Sequence, residues 1–519
     1  MNITHGLRRA LQVNRNGTAV IDGDRSLTWG EVGDRVARLA GVLQQQGVQR
    51  GDRVAVLSLN SSRYLELYLA TAWAGAVIVP LNIRWSVAEN RDALEDCGAK
   101  IMFIDAAFEQ PARELAAQVP GVALVWADDA PAPADIPGYE ALLAGATAVD
   151  DAMCDRDALA GIFYTGGTTG RSKGVMLSHG NLVANAMNAL AEGLFASDTV
   201  YIHAAPMFHL ANGAAMYSLL ISGGCNVILK SFSPEGLADL IQRHKATEML
   251  LVPTMIQMLV DSPAIAGFDL SSVRRIVYGA SPISEAVLDR AAARLPGAGF
   301  VQLYGMTELS PIATCNSAAN HVGAARDIGR HRSAGRATFG VDVRIVDDSN
   351  RELPRGEIGE IVVRGDTVMM GYWQRPEETA KAVIDGWMHT GDGGYMDADG
   401  FVFVVDRIKD MIISGGENVY SLEVENIIGK YPGVAQVAVV GIPHELWGET
   451  VHASILPEPG AALDTEAIAA YVKSKIAGYK CPRSWEIRAD PLPVTGAGKV
   501  FKKGVKEEFL ARRNAGGLA

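Results

Sequence analysis

Cysteine is scarce in this sequence, and the cysteines that occur are far apart. The chain has 5 cysteines among 519 residues, no two of them lie closer than 57 positions, and there is no C-x-x-C pair. A disulfide framework or a zinc ribbon needs closely spaced cysteines, so neither is indicated. The pattern favours free thiols in a reducing compartment, and we expect the protein to be cytoplasmic.

The sequence also lacks a long apolar run and an excess of positive charge. The most apolar window, at 68–81, is too short to span a bilayer, and the first residues contain no apolar signal segment. Lys and Arg number 47 against 59 Asp and Glu, which gives a formal net charge of −12. We therefore expect no transmembrane segment and no nucleic-acid partner, since nucleic-acid binding depends on neutralising phosphates.

Short apolar runs alternate with helical periods over the first three hundred residues. The runs at 54–57, 77–79 and 276–278 are typical of buried strands, and the T-x-x-E pattern at 28–31 predicts the start of a helix. This alternation predicts an α/β fold with largely parallel sheets.

The pattern changes near residue 341. Closely spaced strand candidates at 341–346, 360–364 and 401–405 predict a β-rich subdomain, and a shorter alternation of strands and helices returns after residue 410. The predicted fold class is therefore α/β, with a large N-terminal domain of parallel α/β subdomains plus a β-rich subdomain. A small C-terminal α+β domain follows a boundary near 407–410.

A glycine- and threonine-rich loop, YTGGTTGRSKG at 164–174, carries the strongest functional signal. Glycine allows backbone N–H groups to approach an anion closely, and threonine hydroxyls add donors. The loop is neither a Walker A motif nor G-x-G-x-x-G, because Ser172 stands before Lys173 and the glycine spacing differs. Composition alone leaves a phosphate site and a flexible surface loop both open.

This loop closely resembles the signature of the adenylate-forming enzymes, which include acyl-CoA synthetases, luciferase-like proteins and amino-acid adenylation domains. Further motifs that resemble those of the family follow in order: APMFH at 205–209, YGAS at 278–281, YGMTE at 304–308, WMHTGD at 387–392, DRIKD at 406–410, SGGEN at 414–418 and PVTGAGK at 493–499. The resemblance spans nearly the whole chain. It implies an AMP-forming acid–thiol ligase that uses ATP, Mg²⁺ and coenzyme A.

The resemblance assigns roles to residues of each motif. It implies that Thr307 contacts the α-phosphate, Glu308 coordinates Mg²⁺, and Lys499 bridges the attacking carboxylate and the phosphate. Asp392 would accept hydrogen bonds from the ribose hydroxyls. Further ATP or AMP contacts are implied for Thr165, Gly166, Gly167, Thr168, Thr169, Lys173, Gly279, Ala280, Ser281, Tyr304, Gly305 and Arg407.

The same family implies a C-terminal domain that moves between two half-reactions. The implied division is 1–408 for the AMP-binding domain and 409–519 for a mobile lid, with the hinge at Lys409. Gly415 and Gly416 would line the passage for CoA, although a simple turn explains such a pair equally well. Residues 471–513 hold 11 basic and 4 acidic side chains, and this positive charge is expected to help attract the CoA phosphates.

The implied acyl pocket is apolar and contains small residues that leave room for a chain or a ring. It comprises His209, as wall or gate, with Leu210, Ala211, Tyr278, Gly279, Gly305, Met306, Pro311 and Ile312. No Lys or Arg lies in these stretches, which disfavours a dicarboxylic acid. A medium- or long-chain fatty acid is slightly favoured, and an aryl-propenoic acid of the coumarate or ferulate type is the alternative.

Three other functions are less favoured. An amino-acid adenylation domain would carry an Asp for the ammonium group, and the segment 207–213 has none. A luciferase-like oxygenase is a rare specialisation of the family, and an inactive binding protein would not need all of Thr307, Glu308, Asp392 and Lys499. The sequence does not fix the oligomeric state, although the resemblance allows a homodimer, because dimers are common among relatives.

Overall fold

The computed structural model describes residues 1–165, 172–281, 283–415, 417–494 and 500–514. The chain forms two compact units. The first comprises Met1–Ala280, Ala291–Val343 and Val363–His389, and the second comprises Ser281–Arg290, Arg344–Val362 and Thr390–Ala519. The boundary between residues 408 and 409 stays a prediction.

Several helices of the described residues begin at a side-chain cap. Thr28 accepts a hydrogen bond from the Glu31 N–H, and the Glu31 carboxylate accepts one from the Thr28 N–H at 2.7 Å, so the predicted capping box is formed. The α-helices are Thr4–Val13, Trp29–Gln45, Ser62–Ala74, Val87–Cys97, Glu109–Gln118, Tyr139–Gly145, His179–Ala191, Leu210–Ser222, Pro234–His244, Pro253–Asp261, Glu285–Arg294, Gly323–Asp327, Pro376–Ala382, Ser421–Ile428, Thr465–Lys473 and Lys502–Asn514.

A nine-stranded sheet of the first unit is parallel through its middle, as the alternating pattern predicts. The strands from Gly299–Gly305 to Thr18–Asp22 run parallel, and the flanking pairs are antiparallel. In spatial order the strands are Arg336–Ala337, Ile312–Asn316, Gly299–Gly305, Arg275–Gly279, Glu248–Leu251, Val200–His203, Cys225–Ile228, Thr18–Asp22 and Arg25–Thr28.

A second sheet of the same unit has seven strands. Its order is Gly371–Tyr372, Lys173–Ser178, Leu159–Thr165, Val77–Pro80, Arg53–Leu57, Ile101–Ile104 and Ala123–Trp126. The helices Val87–Cys97 and Glu109–Gln118 pack on it through a cluster of fully buried apolar side chains. Because this sheet is covered by apolar side chains, its strands appear in the sequence as continuous apolar runs.

The predicted β-rich region forms a third sheet. Its strands follow the order Val341–Val346, Gly359–Gly365, Trp387–Met396 and Val383–Ile384, and Val402–Arg407 also pairs with Trp387–Met396. All three predicted strands are present within one or two residues.

The last sheet belongs to the second unit. Its order is Glu417–Val419, Ile412–Ser414, Gly448–Pro457 and Val434–His444, and Ser484–Ile487 pairs with Gly448–Pro457. The helices Ser421–Ile428 and Thr465–Lys473 bury their apolar faces against it. The predicted α/β and α+β fold class is thus confirmed. Among the residues described, no helix combines the length and the apolarity needed to cross a membrane.

Candidate active site

Three predicted site segments begin at one edge of the nine-stranded sheet. Val200–His203, Arg275–Gly279 and Gly299–Gly305 belong to its run of parallel strands, and a predicted site segment directly follows each strand. Carboxyl ends of parallel strands meet at the same edge, which is where open α/β sheets bind ligands. The fold therefore brings the segment 205–209 to the same edge as Tyr304, Thr307 and Glu308.

The predicted phosphate-binding loop is flanked by two neighbouring antiparallel strands, Leu159–Thr165 and Lys173–Ser178. Thr165 pairs directly with Lys173, so these two predicted phosphate contacts lie side by side. Gly166, Gly167, Thr168 and Thr169 lie outside the described residues.

The strand before the loop is anchored by a carboxylate that the sequence analysis did not identify. Tyr164 donates its hydroxyl to Asp96 Oδ2 at 2.7 Å, and Arg375 Nη2 contacts the other oxygen of Asp96 at 3.3 Å. Burial raises the pKa of Tyr164 well above its usual range. The phenol therefore remains a hydrogen-bond donor at the base of the loop.

Lys173 makes contacts that position its ammonium group. The Nζ atom lies 4.9 Å from the centre of the Tyr372 ring and forms an ion pair with Glu378. The side chain is 27% exposed, so it is accessible to an anion. Nothing in the motif pattern pointed to Tyr372 or Glu378, which lie two hundred residues further along the chain.

Glu308 lies in the short 3-10 turn Thr307–Leu309, directly after the strand Gly299–Gly305. Its carboxylate is buried and accepts a hydrogen bond from the Tyr372 hydroxyl at 2.9 Å. In the described part of the chain, no group of three or more His, Cys, Asp or Glu side chains could hold a metal. A single carboxylate suits Mg²⁺, which nucleotide sites usually hold through one or two carboxylates together with substrate phosphates.

Two predicted site glycines have a backbone reason for their small size. A Cβ atom on Gly279 would lie 2.2 Å from the Leu303 carbonyl oxygen, and one on Gly305 would lie 2.0 Å from the Pro311 carbonyl oxygen. Gly305 also has a φ of 158°. The sequence analysis attributed these glycines to space for an acyl group, whereas close approach of neighbouring backbone already requires them.

The two tyrosines of the site segments have different surroundings. Tyr304 is half-buried. Tyr278 is fully buried, and its hydroxyl lies 2.7 Å from His321 Nε2. The Tyr278 hydroxyl is thus engaged within the protein. Ala280 and Ser281 directly follow the strand Arg275–Gly279, and Ala280 has a left-handed φ of 65°.

Buried polar side chains bind the backbone of the predicted acyl-pocket segment 205–209 and of the strand before it. Asn60 Nδ2 donates to the carbonyls of His203 and Ala205 at 3.0 and 2.9 Å, and Asn60 Oδ1 accepts from the Met207 N–H at 2.7 Å. Tyr68 donates to the Met207 carbonyl at 2.8 Å. These contacts fix the backbone that leads to His209, and the sequence analysis missed both Asn60 and Tyr68.

His209 itself is half-buried and directly precedes the helix Leu210–Ser222. Its ring lies 4.1 Å, centre to centre, from that of Phe208. Of the other predicted pocket residues, Leu210 and Ile312 are buried, and Ala211, Met306 and Pro311 are half-buried.

In the second unit, Asp392 and Arg407 lie opposite each other on paired strands. Arg407 Nε lies 2.7 Å from Asp392 Oδ1, and the Asp392 side chain is 9% exposed. Thr390 accepts the Asp392 N–H and donates to the Ile361 carbonyl, while the Gly391 N–H binds Glu360 Oε1 at 2.9 Å. The T-G-D motif is therefore a rigid part of a strand.

The predicted hinge and CoA-passage residues lie just beyond. Lys409 belongs to the short 3-10 turn Ile408–Asp410. Gly415 has a φ of 63° and lies in the turn between Ile412–Ser414 and Glu417–Val419. This turn accounts for the glycine, as the simpler alternative predicts. Gly416 lies outside the described residues.

A largely buried ionic cluster includes Asp406, near the end of the strand Val402–Arg407. Asp406 accepts hydrogen bonds from the N–H and hydroxyl of Ser421, both at 2.5 Å. Lys502 Nζ lies 2.9 Å from Glu425 Oε1 and 3.9 Å from Asp406 Oδ1. Lys499 lies outside the described residues, but Lys502 begins the helix that follows it.

Comparison with known proteins places the chain in a family. The model of the AMP-binding enzymes matches residues 7–373, and the model of the AMP-binding enzyme C-terminal domain matches residues 423–499. Feruloyl-CoA synthases from an Amycolatopsis and a Streptomyces species are each 42% identical over 508 residues, covering 97% of this chain and 98% of theirs.

A further relative and a solved structure are also similar to this chain. A medium/long-chain-fatty-acid–CoA ligase from Mycobacterium tuberculosis is 34% identical, with 97% of this chain and 90% of that protein covered. The crystal structure of ATP-bound MatB from Rhodopseudomonas palustris superimposes with a TM-score of 0.88 at 33% identity, covering 98% of this chain and 99% of that one. The chain therefore belongs to the AMP-binding enzymes, within the adenylate-forming acyl-CoA synthetase family that its motifs resemble.

Proposed function

We propose that the protein is an ATP-dependent CoA ligase that activates an aryl-propenoic acid of the ferulate type. The observation that carries this choice is the 42% identity to feruloyl-CoA synthases over nearly the full length of both chains. The fatty-acid ligase relative is less similar, at 34% identity. A medium- or long-chain fatty acid is the second candidate, because that relative also matches almost the whole chain.

The predicted acyl segments fit an apolar acid. Leu210 and Ile312 are buried, and His209 is half-buried beside Phe208. The segments contain no Lys or Arg that would bind a second carboxylate. An aromatic acid with one carboxylate meets these conditions, and its flat ring suits a pocket built from aliphatic and aromatic side chains.

The reaction proceeds in two steps. In the first step, a carboxylate oxygen of the acid forms a bond to the α-phosphorus of ATP, and the bond from that phosphorus to pyrophosphate breaks. In the second step, the CoA sulfur forms a bond to the acyl carbon, the bond to AMP breaks, and the thiol proton is released. Catalysis of the first step depends mainly on positioning and on neutralising the charge between two anions.

Residues of this chain divide that task. Thr165 and Lys173 would bind the outer phosphates, and Thr307 the α-phosphate. Glu308 is the carboxylate that would hold Mg²⁺, which when bound neutralises phosphate oxygens. Asp392, oriented by Arg407 at 2.7 Å, would accept the ribose hydroxyls. Lys499 would contact the acid and the α-phosphate.

The test is a substrate comparison with ATP, Mg²⁺ and CoA. We expect kcat/KM for ferulate to exceed that for octanoate and palmitate by at least about tenfold, which is the discrimination that a pocket of fitting shape provides. Dihydroferulate, which keeps the ring but lacks the double bond, is the matched control for recognition of the propenoate. A higher kcat/KM for octanoate would contradict the proposal in favour of the fatty acid. Pyrophosphate release with and without CoA separates CoA ligation from the other family reactions.

Cellular location and assembly are also proposed. The five cysteines are all free, and three of them are buried, which supports a reducing compartment such as the cytoplasm. A homodimer is proposed from the family resemblance, and light scattering after size-exclusion chromatography measures it. The proposed division into 1–408 and 409–519 predicts that limited trypsin treatment cuts after Lys409 and leaves two stable fragments. Cleavage at scattered sites would contradict it.

A further inference from the structure

Tyr372 contacts both Glu308 and Lys173. Its hydroxyl donates to Glu308 Oε1 at 2.9 Å. The Lys173 Nζ atom lies 4.9 Å from the centre of its ring. These are the residues proposed above to hold Mg²⁺ and the ATP phosphates, so one phenol contacts both parts of that machinery.

The backbone around Tyr372 is fixed on both sides. Its strand pairs with Lys173–Ser178, with Tyr372 opposite Val175, and the Trp373 N–H donates to the Gly174 carbonyl at 2.7 Å. The Met369 N–H donates to the Glu308 carbonyl at 2.9 Å. The segment 369–373 thus bridges the turn that carries Glu308 and the strand that carries Lys173.

The chemistry of a phenol matches both contacts. Its O–H group donates a hydrogen bond to a carboxylate, and its ring face attracts a cation. A phenol is protonated at neutral pH, so the Tyr372 hydroxyl can donate the hydrogen bond to Glu308. Tyr372 is only 7% exposed, which leaves little freedom to reorient.

We propose that Tyr372 is a positioning residue that orients the Glu308 carboxylate for Mg²⁺ through its hydroxyl and the Lys173 ammonium for phosphate through its ring. The proposal rests on the roles of Glu308 and Lys173 in the proposed function. A hydrogen bond to a metal-binding carboxylate selects the orientation of that carboxylate, and loss of such a partner typically lowers metal affinity.

Two substitutions separate the two contacts. Tyr372→Phe removes the hydroxyl and keeps the ring, so the Mg²⁺ concentration at half-maximal ATP binding is expected to rise about ten- to hundredfold. ATP affinity at saturating Mg²⁺ is expected to stay within about twofold of the unaltered protein, since the contact between ring and ammonium remains. Tyr372→Leu removes both contacts and is expected to weaken ATP binding at saturating Mg²⁺ as well, by about three- to tenfold.

Calorimetric titration of ATP at a series of Mg²⁺ concentrations, without carboxylic acid or CoA, measures these effects independently of turnover. The matched control is Tyr431→Phe, because Tyr431 belongs to the second unit, where its ring packs on the apolar core and lies 5.4 Å from that of Tyr471. Its Mg²⁺ midpoint is expected to match the unaltered protein. A merely structural role of Tyr372 would lower the melting temperature but leave the Mg²⁺ midpoint unchanged.

A double mutant locates the effect. In the Glu308→Gln background, Tyr372→Phe is expected to change the Mg²⁺ midpoint by less than about twofold, because the coupled carboxylate is gone. If Tyr372→Phe does not fold, Thr379→Val is the alternative variant. It removes the hydroxyl oxygen that accepts the Tyr372 N–H at 2.9 Å, and so loosens the backbone that positions Tyr372. Its Mg²⁺ midpoint is expected to rise in the same direction.

The outcomes distinguish this inference from the proposed function. If the unaltered protein binds Mg·ATP and exchanges pyrophosphate while Tyr372→Phe keeps the same Mg²⁺ midpoint, the inference is overturned and the proposed function stands. An additive shift in the Glu308→Gln background would likewise overturn it. If the unaltered protein neither binds Mg·ATP nor exchanges pyrophosphate, the proposed function fails and the inference fails with it.

Discussion

Lys502 and Lys503 are adjacent in sequence but have opposite surroundings, which makes them a matched pair for a stability test. The Lys502 side chain is 20% exposed and lies 2.9 Å from Glu425, whose side chain is 13% exposed. The Lys503 side chain is 59% exposed, and its ion pair with Glu507 is longer, at 3.7 Å. We predict that Lys502→Met destabilises the protein and that Lys503→Met does not.

The expected size of the effect follows from the geometry. At 2.9 Å, with an effective dielectric constant of about 20, the attraction between Lys502 and Glu425 is about 6 kcal/mol before desolvation is subtracted. Removing one partner of a buried pair typically costs about 3–5 kcal/mol, because it leaves a buried charge without compensation. An exposed pair contributes about 0–1 kcal/mol, which sets the expectation for Lys503→Met.

The raised pKa of Lys502 agrees with this description, whereas burial raises the pKa of Glu425, which reflects the cost of holding its charge inside the protein. Burial alone would lower the pKa of Lys502, but the negative charges of Glu425 and Asp406 outweigh burial and raise it. Because the folded-state pKa is raised, this stabilisation is complete below the unfolded-state pKa of Lys502 and is lost as the pH rises through its folded-state pKa. Guanidinium denaturation of both variants, followed by tryptophan fluorescence, gives the difference in the free energy of unfolding.

A second substitution tests the cause. Glu425→Leu in the Lys502→Met background removes the uncompensated carboxylate and is expected to restore part of the lost stability. Because Lys502 lies three residues after Lys499, Lys502→Met is also expected to reduce adenylation more than CoA transfer from a supplied acyl adenylate. Equal stability of Lys502→Met and Lys503→Met would refute the reasoning.

Three further predictions concern the site and the core. Asp392→Asn is expected to raise KM for ATP at least about tenfold, because a carboxylate that accepts ribose hydroxyls is replaced by a neutral amide; steady-state kinetics measure this, and an unchanged KM would contradict the assignment. Asn60→Ala is expected to lower the free energy of unfolding by about 2–4 kcal/mol and to raise KM for the acid more than KM for ATP, since it frees the backbone before His209. Burial lowers the pKa of His203 and of His321 to about 4, so the unfolded chain binds protons first and stability falls as the pH drops from 6.5 towards 4, by about 3 kcal/mol per histidine. Urea midpoints between pH 7 and pH 4.5 measure this fall, and a His321→Gln variant with an equally steep fall would contradict the contribution of His321.

Much of the fold was predictable because the sheets are buried. Continuous apolar runs predicted strands such as Arg53–Leu57, Val77–Pro80 and Arg275–Gly279 within one or two residues. The capping residue Thr28 predicted the start of a helix. Local chemistry was sufficient in these cases, since burial and capping leave a direct pattern in the sequence.

The roles of the glycines and of Lys502 were harder to predict. Gly279 was interpreted as space for an acyl group, yet the Leu303 carbonyl would lie 2.2 Å from its Cβ atom. Lys502 lies in a basic, glycine-rich stretch that is typical of solvated charge, yet it is paired with Glu425. The contact partner in each case lies far away or on a neighbouring strand, so no local pattern reports it.

The sequence by itself determined the family and the kind of chemistry. The motif residues, such as those at 164–174 and 304–308, are consecutive in the chain, so the sequence shows their types and their order directly. The tertiary structure alone decided which side chains hold these groups in place. Tyr372 reaches Glu308, and Asn60 reaches Met207, only because strands and loops distant in the chain become neighbours. Because cysteine is scarce, hydrogen bonds, ion pairs and buried apolar contacts hold the site side chains in place. These contacts form only when the sheets are assembled.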